Sequence, residues 1–343
     1  MKAIPILARL LALWMGFIGV MAIGNDQLPS ANSEQVRAAI TKGLNYLSKD
    51  GDQWIAEKSC NGCHHLPELL WSHGEALRRG FAIDTKKLQE WTDWAKPLAK
   101  NKGPGLEELA LMILAQPKIP AAELSKVILA EQKPDGSWTP GGQLSGMQRR
   151  GAEDAKANSV RLFLLALATA DPGSPTTEDA RKKAAVVLEK SAPPTSLESW
   201  VFRGLYAQKF GLPEEVAAIR SEIIKTQHDD GGWSSFLKEP KSDSLATGQA
   251  LYFLQSSSAE PNVAAAITRA QQWLLTTQQE DGAWVIDIAQ MSQVDRSDPK
   301  KGSVKNAAAI YKFWGSAWAT IGLLQSVPLQ DSGKDVVERS TPQ

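Results

Sequence analysis

Apolar residues return every three or four positions along most of this chain, as in VRLFLLALATA (160–170), VAAAITRAQQWLL (263–275) and AWATIGLLQSV (317–327). That period lays one apolar stripe along a helix. Strictly alternating segments, the mark of a half-buried strand, are absent. The pattern predicts twelve helices, starting near residues 33, 63, 84, 104, 119, 153, 177, 195, 213, 243, 262 and 305. Pro104, Pro120, Pro194, Pro213 and Pro261 each fall in or just before a predicted first turn, where proline costs no hydrogen bond. The predicted fold class is all-α, paired as six helical hairpins.

The breaks between helices carry a repeat. QKPDGSW (132–138), QHDDGGW (227–233) and QQEDGAW (278–284) share the pattern Gln-x-x-Asp-Gly-x-Trp. Asp-Gly is a turn pair whose glycine adopts positive φ past a helix end, and the tryptophan then carries a large apolar surface onto a neighbouring element. Each heptad should close one helix and pin the start of the next. A degenerate fourth copy lies at the front: AITKGLNYL (39–47) aligns with AITRAQQWL (266–274), followed by Asp50, Gly51 and Trp54. It lacks the glutamine and has its tryptophan one residue late.

These heptads resemble the QW repeats of squalene and hopene cyclases and of the related prenyltransferases, over roughly residues 33–327. The resemblance implies an (α/α)6 toroid, with six outer helices around six inner ones whose N-termini open on a central cavity. It does not bring the chemistry with it. Class II cyclases protonate their substrate from an Asp-x-Asp-Asp motif, which this chain lacks. Asp154 and Asp243 are single acids about where inner helices begin, and a lone aspartate there is first of all an N-cap. The Asp, Cys and His zinc set of the protein prenyltransferases is absent from the later repeats as well.

Composition changes this picture little. The 343 residues include 38 basic and 38 acidic side chains, and zero net charge gives no electrostatic footprint for nucleic acid. The front end changes it more. Lys2 and Arg9 flank or precede the apolar run 10–23, and Ala22-Ile23-Gly24 supplies small residues, which reads as an export signal cleaved after residue 24. An uncleaved anchor is the rival reading, and only it would bring membrane association. The expected domains are a signal peptide (1–24), the toroid (25–328) and a tail without an apolar face (329–343). The expected location is periplasmic or otherwise exported.

Export sharpens the question posed by SCNGCHH (59–65), which contains both cysteines of the chain and two of its four histidines. Cys-x-x-Cys-His is the attachment signature of c-type haem: Cys60 and Cys63 would take the porphyrin and His64 the iron. Zinc is the alternative cofactor. It would need a fourth ligand, and the distant histidines are His73 and His228. A bare disulfide is the third reading. Trp54 precedes His64 by ten residues, as Trp233 precedes Asp243, which sets His64 where an inner helix begins, at the cavity rim. The sixth iron ligand is open among Met147, Met291, His73 and His228, with Met112 a further candidate. His65, together with Arg149 and Arg150, would bond haem propionates. Most aromatic residues of the predicted inner helices are expected to be core, with a subset lining the cavity.

The expected function is an exported c-type haem protein, acting in electron transfer or in redox chemistry on a ligand in the cavity. Its partner would be a redox protein or a small apolar molecule. The alternatives are a terpenoid-modifying or isoprenoid-binding protein, a haem-based sensor, and a zinc-binding toroid.

Overall fold

The computed structural model describes residues 33–58, 64–95, 105–115, 121–140, 150–256, 260–291 and 302–330. Among these, the helices are α1 (Ser33–Lys58), α2 (Leu66–Arg78), α3 (Thr85–Ala95), α4 (Leu106–Ala115), α5 (Ala121–Ala130), α6 (Ala152–Ala170), α7 (Pro175–Glu189), α8 (Leu197–Lys209), α9 (Pro213–Lys225), α10 (Ser244–Gln255), α11 (Pro261–Thr277), the single turn α12 (Ile288–Met291) and α13 (Gly302–Leu324). Twelve of them start within three residues of the positions predicted from the sequence. Only α12 has no counterpart there. No helix among the described residues is long and apolar enough to cross a membrane.

Six helices form a closed inner ring, in which α2, α4, α6, α8, α10 and α13 each pack on the next and α13 returns to α2. Around it stand α1, α3, α5, α7, α9 and α11. The sequence already separates the two layers. In α11 the buried positions are Val263, Ala266, Ala270 and Leu274, one stripe at helical spacing, as an outer helix with one covered face requires. In α10 ten consecutive residues from Ser244 to Phe253 include only one, Tyr252, that is not buried, and Leu254 is buried too. A helix covered all round lies inside. The chain is an all-α (α/α)6 toroid. The inner ring is tightest where Gly248 of α10 meets α13: a Cβ on Gly248 would lie 2.2 Å from the Trp318 carbonyl group.

The three full heptads are latches between repeats. Gln132, Gln227 and Gln278 donate to the carbonyls of Gly136, Gly231 and Gly282 in their own turns, and also to Ala180 on α7, Ala266 on α11 and Ala39 on α1. Each glutamine thus ties its own turn to a following outer helix, and the last ties the end of the chain to its beginning. The indole N–H groups of Trp138, Trp233 and Trp284 donate to Ile128, Ile223 and Leu274, ten residues back. At Gly282, φ is +89°, and a Cβ would lie 2.3 Å from the Lys42 carbonyl oxygen. Both the turn and the approach of α1 therefore require glycine.

Gln278→Ala leaves the Ala39 and Gly282 carbonyls without this donor. We expect a loss of about 1–3 kcal/mol, measured by denaturant unfolding. A loss below about 0.5 kcal/mol, ordinary for a surface change, would mean that the amide does not hold the two ends together.

The front copy departs from the expected turn. Helix α1 continues through Asp50, Gly51 and Trp54 to Lys58. There is no glutamine to bridge it, and Gly51 sits against Leu69, where a Cβ would lie 2.5 Å from the leucine methyl. At the other end, part of the predicted tail is anchored, since the Gln330 N–H donates to the Arg78 carbonyl at 2.9 Å. The predicted signal segment, Cys60, Cys63, Met147, Arg149 and residues 331–343 lie outside the described residues.

Candidate functional site

His64 and His65 form the turn that leads into α2, the position of an inner-helix start that the spacing from Trp54 predicts. The two rings differ in their surroundings. His65 is fully buried, with its Nε2 3.3 Å from the Asp50 carboxylate. Its ring stacks on Trp54 at 4.4 Å and 21°, and Phe313 of α13 covers it at 3.9 Å. Burial pushes its pKa below the usual histidine range, against the pull of Asp50. The aspartate and tryptophan of the degenerate repeat thus hold the second histidine instead of making a turn. His65 is thus packed between Trp54 and Phe313, beside Asp50.

His64 is 5% exposed. Its ring lies edge-on to Trp54 at 6.0 Å and 6.1 Å from Trp314. Its backbone carbonyl accepts from the Trp314 indole at 2.7 Å, so α13 fixes the turn from the far end of the chain.

The other predicted ligands are scattered. His73 lies deeper in α2, with Nδ1 2.9 Å from the Leu69 carbonyl oxygen, Nε2 2.8 Å from Ser48 Oγ, and the Trp91 ring edge-on at 4.8 Å. Both nitrogens are engaged, and burial brings its pKa down to about 4. His73 is packed into the interior, 3% exposed. His228 belongs to the second full heptad, 3.1 Å from Ser242 Oγ. Met112 is buried on α4. Met291 ends α12 and is buried; its carbonyl accepts from Tyr311 at 3.1 Å, and the Tyr311 ring meets Trp314 edge-on at 5.3 Å. Of the described sixth-ligand candidates, only Met291 is joined by such a chain of contacts to the His64 turn.

The single acids are structural. Asp243 caps α10, accepting from the N–H groups of Ala246 (2.8 Å) and Ser235 (2.7 Å), and Asp154 accepts from the hydroxyls of Thr195 and Ser196 ahead of α8. Neither is placed as a free proton donor.

What sequence reasoning missed is a set of glutamates in the first turns of inner helices: Glu68 on α2 and Glu107 and Glu108 on α4, all buried, and the partly buried Glu198 on α8. The recurrence of glutamate just inside successive inner helices was the available signal, and the helix N-terminus favours it. Glu107 accepts from Ser159. Glu198 pairs with Arg150 at 3.0 Å. Glu68 is 4% exposed, and its Oε2 has no hydrogen-bond partner. Burial, with Glu108 and Glu198 adding repulsion, raises its pKa to about 8. Glu68 and Glu198 line the lumen with Leu245, Gln249, Trp314 and Trp318, around a cavity of about 20 Å³. That holds little more than one water. The aromatic lining is thus a subset of the predicted inner-helix aromatics, and it closes the lumen.

The donor set around His64 fits haem c: two thiols three apart, the next residue an imidazole, and indoles on either side.

No protein-family model and no curated protein matches the sequence. Solved structures do resemble the fold. The type II terpene cyclase MstE from Scytonema, in complex with geranylgeranyl dihydroxybenzoate, superposes with a TM-score of 0.53 at 13% identity, over 86% of this chain and 98% of that one. A possible GH105-family protein from Salmonella enterica gives 0.56 at 12%, over 87% and 94%. An unsaturated glucuronyl hydrolase specific for heparin gives 0.57 at 9%, over 86% and 97%. At such identities the likeness is one of fold, and it spans a cyclase and a hydrolase alike.

Proposed function

We propose that the protein is an exported mono-haem c-type protein that transfers electrons to or from a partner at the toroid mouth. In this reading Cys60 and Cys63 carry the porphyrin and His64 binds the iron. The observation that carries it is the place of His64: the residue directly after the Cys-x-x-Cys pair lies in the turn that opens inner helix α2, between the Trp54 and Trp314 rings. A bound haem would supply one-electron chemistry at its iron, tuned by axial ligand and burial.

The chain's own residues do the positioning. Trp314 holds the His64 carbonyl, and the His65 clamp keeps the turn from rotating. Trp54 and Trp314 flank the imidazole. Met291 is the favoured sixth ligand, and Met147 is its rival. The isoprenoid reading draws on the terpene cyclase likeness of the fold.

Produced in an exporting host with haem-ligation machinery, the mature chain is expected to begin at Asn25, to show the mass of one covalent haem and to have a Soret band. Cys60→Ser and Cys63→Ser should each lose stable two-point attachment. His64→Ala should shift the Soret band while some covalent haem persists. Intact-mass spectrometry and absorbance decide it: zinc or free thiols on protein from a host that matures other cytochromes would overturn the reading.

A further inference from the structure

Inside the ring, beneath the His64 turn, acid outnumbers base. Glu68, Glu107, Glu108 and Glu198 occupy inner-helix first turns, and Arg150 is the guanidinium paired among them. One oxygen of this set stands out. Glu68 Oε2 is buried, lines the lumen and has no hydrogen-bond partner. A buried acceptor without a donor is costly, and here it faces a cavity large enough for one small guest.

We propose that the lumen binds a single small cation of the ammonium class, ammonium or methylammonium, on Glu68 Oε2, with Glu198 and Gln249 beside it. The lining selects among cations. A hard metal ion needs several oxygen ligands at short range, and no group of three or more His, Cys, Asp or Glu among the described residues could hold one. Leu111, Leu245, Trp314 and Trp318 fill the rest of the wall, and apolar and indole surfaces suit an N–H cation better than a hydrated one. The size of the cavity excludes bulkier amines. The site stands on its own geometry and does not depend on haem.

Binding displaces the carboxyl proton, so affinity should change with pH. Glu108 from α4 and Glu198 from α8 face Glu68 and favour its protonated form. Arg150 neutralises part of Glu198, Glu107 is held by Ser159, and burial keeps Tyr311 of α13 protonated. Below a pKa of about 8, the cation competes with one proton, and apparent affinity falls about tenfold for each pH unit. Above it, affinity levels off.

The test is isothermal titration of the full mature protein, carrying whatever prosthetic group it acquires. Ammonium and methylammonium chlorides are compared with sodium and tetramethylammonium chlorides at matched ionic strength, near pH 6 and near pH 9. We expect saturable one-site heats from the first two salts alone, weaker at the lower pH. Glu68→Gln should abolish them. Leu245→Phe, which fills the cavity and leaves the carboxyl in place, should abolish them too, so a folding defect in one variant does not decide the matter. An equal response to sodium, a response unchanged in both variants, or no response at all would each overturn the proposal; the last would leave a cavity that holds only water.

Discussion

Trp233→Ala is expected to lower the stability of the protein by about 3–5 kcal/mol, the range for deleting a buried aromatic side chain. Trp233 is fully buried between α9 and α10. Its indole N–H satisfies the Ile223 carbonyl at 2.8 Å, its backbone N–H donates to Thr247 at 3.0 Å, and its carbonyl accepts from Asp243 at 2.8 Å. The backbone bonds survive truncation. The void and the orphaned Ile223 carbonyl do not heal, because two helices of a closed ring cannot move together without straining their other neighbours. Trp233→Phe should cost only about 1–2 kcal/mol, chiefly the lost donor. Denaturant midpoints for the pair measure this, and an alanine variant no weaker than the phenylalanine one would mean that the latch contributes little.

Glu68 gives stability an unusual pH dependence. An unfolded glutamate titrates near 4.5, whereas burial holds Glu68 protonated in the fold up to about 8. Between those values the native state binds a proton that the unfolded chain has released, so stability falls as pH rises. Relative to Glu68→Gln, which stays neutral, the wild-type protein should be at full strength below about pH 4.5. It should lose about 4–5 kcal/mol by the time pH has passed 8. His73 acts in the opposite direction: it is neutral in the fold down to about pH 4, and stability is lost as pH falls from 6.5 toward that value. The comparison with Glu68→Gln cancels this second effect. Unfolding free energies of the two proteins that run parallel from acid to alkaline pH would refute the burial argument.

The architecture was largely legible in the sequence because its determinants are local. Helical periodicity, first-turn prolines and the Asp-Gly-x-Trp turns each act within a few residues, and they place twelve helix starts closely. The fate of the front repeat was not legible. Asp50 and Trp54 look like turn residues by alignment, and only the partner brought to them by α2, His65, explains why they remain in a helix. The site was half legible for the same reason. The Cys-x-x-Cys-His spacing is a local signal, and the placement of His64 before an inner helix followed from the repeat. That His73 satisfies both ring nitrogens depends on Ser48 from another helix. The acidic lining arises from Glu68 and Glu198 on two helices, each ordinary at its own helix start and distinctive only once the ring closes.

The covering of the histidine pair has a consequence for biosynthesis. Phe313 and Trp314, which roof His65 and grip the His64 carbonyl, belong to the final helix. A growing or translocating polypeptide presents its amino-terminal cysteine–histidine segment bare until the carboxy-terminal portion has emerged. In the haem reading proposed above, attachment would have its opening before the circle shuts.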